Sequence, residues 1–227
     1  MSKLLVDSLK CYHFNNKIRL GKDYDGGYVI GHLDNNYDLF ISCGISDDIS
    51  FEEDFINKYN NICYAFDGTI NDLPHKNNKI IFHKINIGKS NTNKTTNLHD
   101  LINKNNNIFL KMDIEGYEYE WINSLSNEQL NKFKQIVIEI HLPFDQFKYK
   151  IMHKLAKNFY LIHIHGNNFA NTKKRSGYKI PCVFECTYLR KDNFNLKSNK
   201  LSFPTKLDMP NNPNKNDILL NKYPYIH

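Results

Sequence analysis

Phe40-Ile-Ser-Cys-Gly-Ile-Ser-Asp-Asp-Ile-Ser-Phe-Glu52 reads as a strand, a glycine turn and a helix in 13 residues. The apolar run from Asp38 to Cys43 stops at Gly44, and Ser50 with Glu53 three residues on is a capping-box pattern that opens a helix over 50–60. Gly44 lets the backbone pass close to a ligand, and a helix N-terminus follows it. A turn of this kind belongs at the carboxyl end of a sheet strand, where open parallel sheets bind their ligands. A lone glycine is not the G-x-G-x-x-G of dinucleotide sites, and Asp47 and Asp48 would repel a pyrophosphate. The stretch disfavours NAD or FAD and suits a cofactor bearing a positive charge or an amino group.

Outward from this turn the same rhythm repeats. Apolar runs rich in Ile, Val, Phe and Tyr occupy 62–66, 80–85, 108–112, 135–140, 159–164 and 183–189. Helical spacing fills the intervals 97–104, 116–125, 128–133 and 146–158, the last with Phe147, Ile151, Leu155 and Ala156 on one side. Alternating strands and helices predict an α/β fold: a doubly wound, mostly parallel, seven-stranded sheet. The 166–180 connection carries Gly177 and has no helical pattern, so the last two strands are expected to form an antiparallel hairpin at one edge. One domain is expected over 1–192, with 1–37 as an N-terminal helix and accessory segment. An extended tail with four prolines follows over 193–227.

Composition narrows the partners. The 33 Asn, 27 Lys and 25 Ile beside only 3 Arg are the mark of an A/T-rich coding sequence, as in some protozoa or large DNA viruses, so the net charge of +6 is background. Scattered lysines with so little arginine argue against a nucleic-acid partner. The five cysteines form no CxxC pair and read as buried thiols; Cys182 and Cys186 share one strand face. No run approaches the roughly 18 apolar residues of a membrane span, and the N-terminus lacks a signal-peptide core. The expected location is the cytoplasm, the host's if the source is viral, and a homo-oligomer is open.

The polar residues that end the runs are the candidate site. Asp67, 23 residues beyond Gly44, is placed to accept both hydroxyls of a ribose. Gly68, Asn86 and Ile87 follow the second and third runs. In Phe109-Leu-Lys-Met-Asp-Ile-Glu-Gly-Tyr-Glu118, Asp113 and Glu115 are two apart and share one side while the chain is extended. Glu139 with His141, and His163 with His165, repeat that spacing at later exits. Carboxylates and imidazoles at neighbouring strand ends can hold a divalent cation or supply a general base near neutrality.

These residues resemble the class I S-adenosylmethionine-dependent methyltransferases, most closely the FkbM-like branch. Lys111-Met-Asp-Ile-Glu-Gly-Tyr-Glu118 is similar to its K-I-D-(V/I)-E-G-x-E signature, and Asn97-Leu-His-Asp-Leu101 to its S/T-L-D-D-L segment. Gly44 and Asp67 match the methionine-loop glycine and the ribose acid of the class. The likeness spans about residues 19–190; it departs at Ser42 and Ser46, where D-x-G-x-G has an acid and a second glycine. Arg19 to Tyr28, with paired glycines, is expected either to fold over the cofactor as a lid or to turn into an accessory strand.

The resemblance implies methyl transfer to a hydroxyl of a sugar, glycan or other small molecule. It implies S-adenosyl-L-methionine bound by Gly44, Ser46, Asp67, Gly68, Asn86, Ile87, Asp113 and Glu115. His141 or His165 would serve as base, with Asp113 and Glu139 orienting it, or with Asp113, Glu139 and His141 holding Mg or Mn. The competing readings are an NAD-dependent sugar oxidoreductase or epimerase, and a binding module on the same fold without turnover.

Overall fold

The computed structural model describes residues 3–34, 37–175, 177–192 and 194–227. Residues 1, 2, 35, 36, 176 and 193 lie outside the described residues; they fall in the accessory segment, the 166–180 connection and the head of the tail. Helix α1 (Lys3–Ser8) precedes a hairpin of β1 (Lys17–Leu20) and β2 (Tyr28–Gly31). Then come β3 (Leu39–Cys43), α2 (Ser50–Tyr59), β4 (Cys63–Phe66), β5 (Ile80–His83) and the short pair β6 (Asn86–Ile87) and β7 (Thr95–Thr96). They are followed by α3 (His99–Asn103), β8 (Ile108–Met112), α4 (Glu118–Ser124), α5 (Asn127–Leu130) and β9 (Phe133–His141). The chain continues through α6 (Gln146–Asn158), β10 (Phe159–Gly166), β11 (Thr172–Arg175), β12 (Tyr178–Pro181) and β13 (Val183–Arg190).

Seven strands form the main sheet in the order β10-β13-β9-β8-β3-β4-β5. From β9 to β5 all neighbours are parallel, and β13 runs antiparallel between β9 and β10. The predicted mostly parallel sheet with an antiparallel pair at one edge is therefore present, the last strand taking the inner place. Strand order reverses between β3 and β8, so the binding crevice of an α/β sheet is expected beyond Gly44 and Asp113.

Both sheet faces are covered, which is why β3 and β8 are buried along their whole length. One face sends Ile41, Leu110, Ile138 and Phe184 into a core with Leu5, Trp121, Met152 and Leu155 of the flanking helices. The other sends Phe40, Phe109 and Val137 against α2 and the β1–β2 hairpin. There the Phe55 ring lies 4.3 Å from that of Phe40 and 4.2 Å from that of Phe109. No helix among the described residues is long and apolar enough to cross a membrane.

Two local expectations are corrected. Ser50 is the first residue of α2, not its cap: Ile49 holds the cap position without a side-chain bond. Ser50 Oγ instead donates to Asp48 Oδ2 at 3.0 Å and accepts from Lys22 N at 2.8 Å, fixing the 21–27 loop to the start of α2. A true capping box stands at Ser126 and Gln129. The 166–180 connection is also not plain loop, since it holds the β11–β12 ladder. The tail has no long element, yet Phe203, Ile218, Leu220 and Tyr225 are buried in the larger core.

Candidate functional site

Register builds the site. Cys43, Met112, Ile138, Cys186 and Ile164 are aligned across β3, β8, β9, β13 and β10. One residue further along lie Gly44, Asp113, Glu139, Glu185 and His165, a polar row at the exit end of the parallel strands. Alternation turns this row to the face covered by α2 and β2. The row two residues back is also largely polar: Ser42, Lys111, Thr187 and His163.

Gly44 has φ +80, and a Cβ there would meet Asp113 O at 1.6 Å. Its close neighbour is thus the backbone at the end of β8. Lys111, buried beneath the turn, donates from Nζ to Gly44 O at 2.7 Å. Burial alone would lower the Lys111 pKa; Glu52 and Asp113 overcome this and raise it. Asp67 ties the turn from the other side. Its Oδ2 accepts from Ile45 N at 2.9 Å and Ser46 N at 3.0 Å, and its Oδ1 from Thr69 N at 2.7 Å and Thr69 Oγ1 at 2.6 Å. Burial opposes ionisation of Asp67, but these donors hold its pKa below the ordinary carboxylate value. Gly68 N donates to Asn86 Oδ1 at 3.2 Å, and Ile87 is buried in the core. Ser46 is exposed, with φ +55.

Asp113, Glu139 and His141 converge: one ligand atom from each lies within 4.8 Å of the others. His141 Nε2 is 3.1 Å from Glu139 Oε2 and 3.3 Å from Glu115 Oε2, and Glu118 Oε1 accepts from the His141 backbone N–H at 2.9 Å. Tyr28 OH donates to Asp113 Oδ2 at 3.3 Å, while Asp113 Oδ1 is buried without a hydrogen-bond partner. Burial, then repulsion from Glu139, raises the Asp113 pKa to about 7. Burial would lower that of His141, but Glu118 and Glu139 raise it to about 10, so the imidazole is charged at neutral pH. Glu115 and Leu142 both take left-handed backbone conformations at φ +55 and +45. Such conformations are unfavourable for these residue types and gather at functional sites.

His165 stands apart from this cluster. It is joined to Glu139 through Glu185, the cross-strand neighbour of both. Its Nδ1 is 3.3 Å from Glu185 Oε2, and its Nε2 is 3.0 Å from both oxygens of Asp217 in the tail. Desolvation is outweighed by Asp217 and Glu185, which raise its pKa to about 10. His163 Nε2 is likewise 2.7 Å from Asp208 Oδ1. Asn211 reaches Glu185 Oε1 at 2.7 Å and Asp25 Oδ1 at 3.1 Å, and Asn167 donates to Glu139 Oε1 at 2.8 Å. Glu52, Tyr28, Asn167, Asn211 and the tail acids received no role from the sequence. Glu52, Tyr28, Lys111 and Glu118 lay inside stretches singled out for other residues, and nothing local marks Asn167, Asn211 or the tail acids.

Beside Asp67 is a pocket of about 250 Å³ between β4, β5 and the entry to α3. The rings of Phe66 and His83 lie 4.8 Å apart and 11° from parallel on its wall, and Asn97 and Leu98 also line it. The polar cluster has different chemistry: the two carboxylates fit an ammonium group, and with His141 in its neutral form the three side chains fit a divalent ion.

The methyltransferase FkbM domain, as a family, matches residues 18–171. No curated protein matches the chain. Among solved structures it is similar to "Putative hemolysin from Streptococcus thermophilus", with 10% identity, a TM-score of 0.41, and coverage of 70% of this chain and 62% of that one. It thus spans less than two thirds of that protein's length. It is also similar to precorrin-6y C5,15-methyltransferase from Geobacter metallireducens GS-15, with 13% identity, a TM-score of 0.35, and coverage of 70% and 84%.

Proposed function

The chain belongs to the FkbM-domain methyltransferases, and from that premise we propose that it transfers the methyl group of S-adenosyl-L-methionine to a hydroxyl of a sugar, glycan or other small molecule. When bound, the cofactor supplies an electrophilic methyl group; the protein supplies alignment and charge. The observation that carries this reading is the meeting of Asp113, Glu139 and His141 at the switch in strand order.

In this reading the Gly44 turn and the Asp67 loop hold the methionine and ribose parts, with Ser46, Gly68, Asn86, Ile87 and Glu115 around them. The pocket beside Phe66 and His83 takes the adenine. The Asp113–Glu139 pair accepts the proton of the acceptor hydroxyl, because its proton affinity lies near neutrality. His141, charged by its acidic neighbours, orients Glu139; His165 acts through Glu185 and does not touch the acceptor. If His141 gives up its proton, Asp113, Glu139 and the neutral imidazole would instead hold Mg or Mn, which would stabilise negative charge developing on the acceptor oxygen.

Incubating a glycan or metabolite pool with the protein and isotopically labelled S-adenosylmethionine tests the reading. A product heavier by one labelled methyl group, released by acid as an O-methyl sugar, is expected. Failure of calorimetry to detect cofactor binding would refute it.

A further inference from the structure

The β11–β12 hairpin rises from β10 and β13, the two strands on one side of the site. At one root Asn167 donates to Glu139 Oε1; at the other Leu142 N donates to Cys182 O at 2.6 Å, and Val183 pairs with His141. The ten residues from Thr172 to Pro181 contain Lys173, Lys174, Arg175 and Lys179 and no Asp or Glu. Three lysines in ten residues exceed the chain's average of 27 in 227, and one of its 3 arginines stands beside them. None of the four cations forms an ion pair among the described residues.

The hairpin is held in place. Lys173 Nζ and Arg175 Cζ each lie 5.0 Å from the ring centre of Phe144, three residues beyond His141. Tyr225 OH donates to Lys179 O at 3.0 Å from the other side. That leaves Lys174 and Lys179, both exposed and directly opposite each other in the ladder. Like charges in that position repel and destabilise a two-stranded hairpin unless an anion lies between them. Ile180 faces the larger core cluster, so alternation within β12 puts Lys179 on the side of the hairpin away from that core. The acids at the rim, Glu115 and Asp145, are engaged by His141 and by the start of α6.

We propose that the β11–β12 hairpin is the acceptor-recognition arm, and that the acceptor carries an anionic group, a phosphate, sulfate or carboxylate, seated between Lys174 and Lys179. This rests on the methyl-transfer reading of the neighbouring site. A small charged acceptor suits an arm with two free cations better than a nucleic acid, whose backbone needs a longer basic track.

The test is NMR titration of the full chain with inorganic phosphate and then sulfate at constant ionic strength. Saturable shifts confined to 172–181 are expected, with binding about tenfold weaker in Lys174→Gln/Lys179→Gln. Both side chains are exposed, so this variant should fold, and its affinity for S-adenosylhomocysteine should be unchanged. No saturable shift in the hairpin, or equal shifts in the variant, overturns the proposal. Displacement of the phosphate by a micromolar single-stranded oligonucleotide overturns it in favour of nucleic acid. Absence of S-adenosylhomocysteine binding by the unmodified chain is instead a failure of the methyl-transfer reading.

Discussion

Glu52 of α2 is the counter-charge of Lys111 in β8: Oε1 lies 3.5 Å from Nζ, and Ser42 Oγ donates to the same oxygen at 2.5 Å. Both charged side chains are buried. A helix residue therefore sets a carboxylate beside Ser42 and, through Lys111, steadies the carbonyl of Gly44. Glu52→Gln would leave a buried ammonium uncompensated and should cost about 3–5 kcal/mol in urea unfolding. Adding Ser42→Asp should recover most of that loss. A cost below about 1 kcal/mol, the range of exposed pairs, would show that Lys111 does not depend on Glu52.

Asp67 joins the Gly44 turn to the exit of β4 through four donors. Asp67→Ala should weaken S-adenosylmethionine binding about ten- to a hundredfold, the scale of one charged hydrogen bond. Calorimetry checks this; full affinity in the variant removes Asp67 from the cofactor site.

The Asp113–Glu139 pair sets a pH profile. With a proton held to about pH 7, kcat/KM should rise as pH passes upward through that value. The His141 charge lowers the Asp113 pKa, so His141→Gln should move the midpoint higher as well as slow turnover, by about a hundredfold if proton transfer limits the rate. A profile flat from pH 6 to 8 at roughly constant ionic strength would exclude the pair as proton acceptor.

Chelation tests the cation. If Asp113, Glu139 and His141 hold Mg or Mn, EDTA should abolish most turnover and either ion should restore it. Undiminished activity in EDTA would dismiss the metal and leave the acid pair.

His165 gives the tail a pH window. Its pKa is raised to about 10 by Asp217 and Glu185 against burial. The folded chain thus binds this proton more tightly than the unfolded chain. The resulting stability is complete below the unfolded value of about 6.5 and is lost as pH rises towards about 10. Amide exchange over 208–220 should accelerate across that window, after correction for the intrinsic rate, and His165→Gln should remove the dependence.

The sheet was legible because buried parallel strands are apolar on both faces, and the 146–158 helix was found to the residue. Gly44, Asp113, Glu139 and His141 could be read because a strand exit is a local event. The β11–β12 hairpin has no apolar period, only a ladder of Thr-Lys-Lys-Arg against Tyr-Lys-Ile-Pro, so periodicity passes over it. Ser50 shows the limit of a motif: the spacing was right, but Asp48 and Lys22 claimed its hydroxyl. Glu52 looks in sequence like an ordinary acid at a helix start, and only the packing of α2 on Ser42 and Lys111 shows its task.

His163 and His165 precede their tail acids by 45 and 52 residues. On the ribosome, both imidazoles emerge well before Asp208 and Asp217 are made. The sheet can pair its strands in that interval, yet its row of acids and histidines still lacks two of its counter-ions. Assembly thus ends with a step that joins charge pairing to the packing of Ile218, Leu220 and Tyr225, and a stop codon before residue 208 would spare every strand while leaving that step undone.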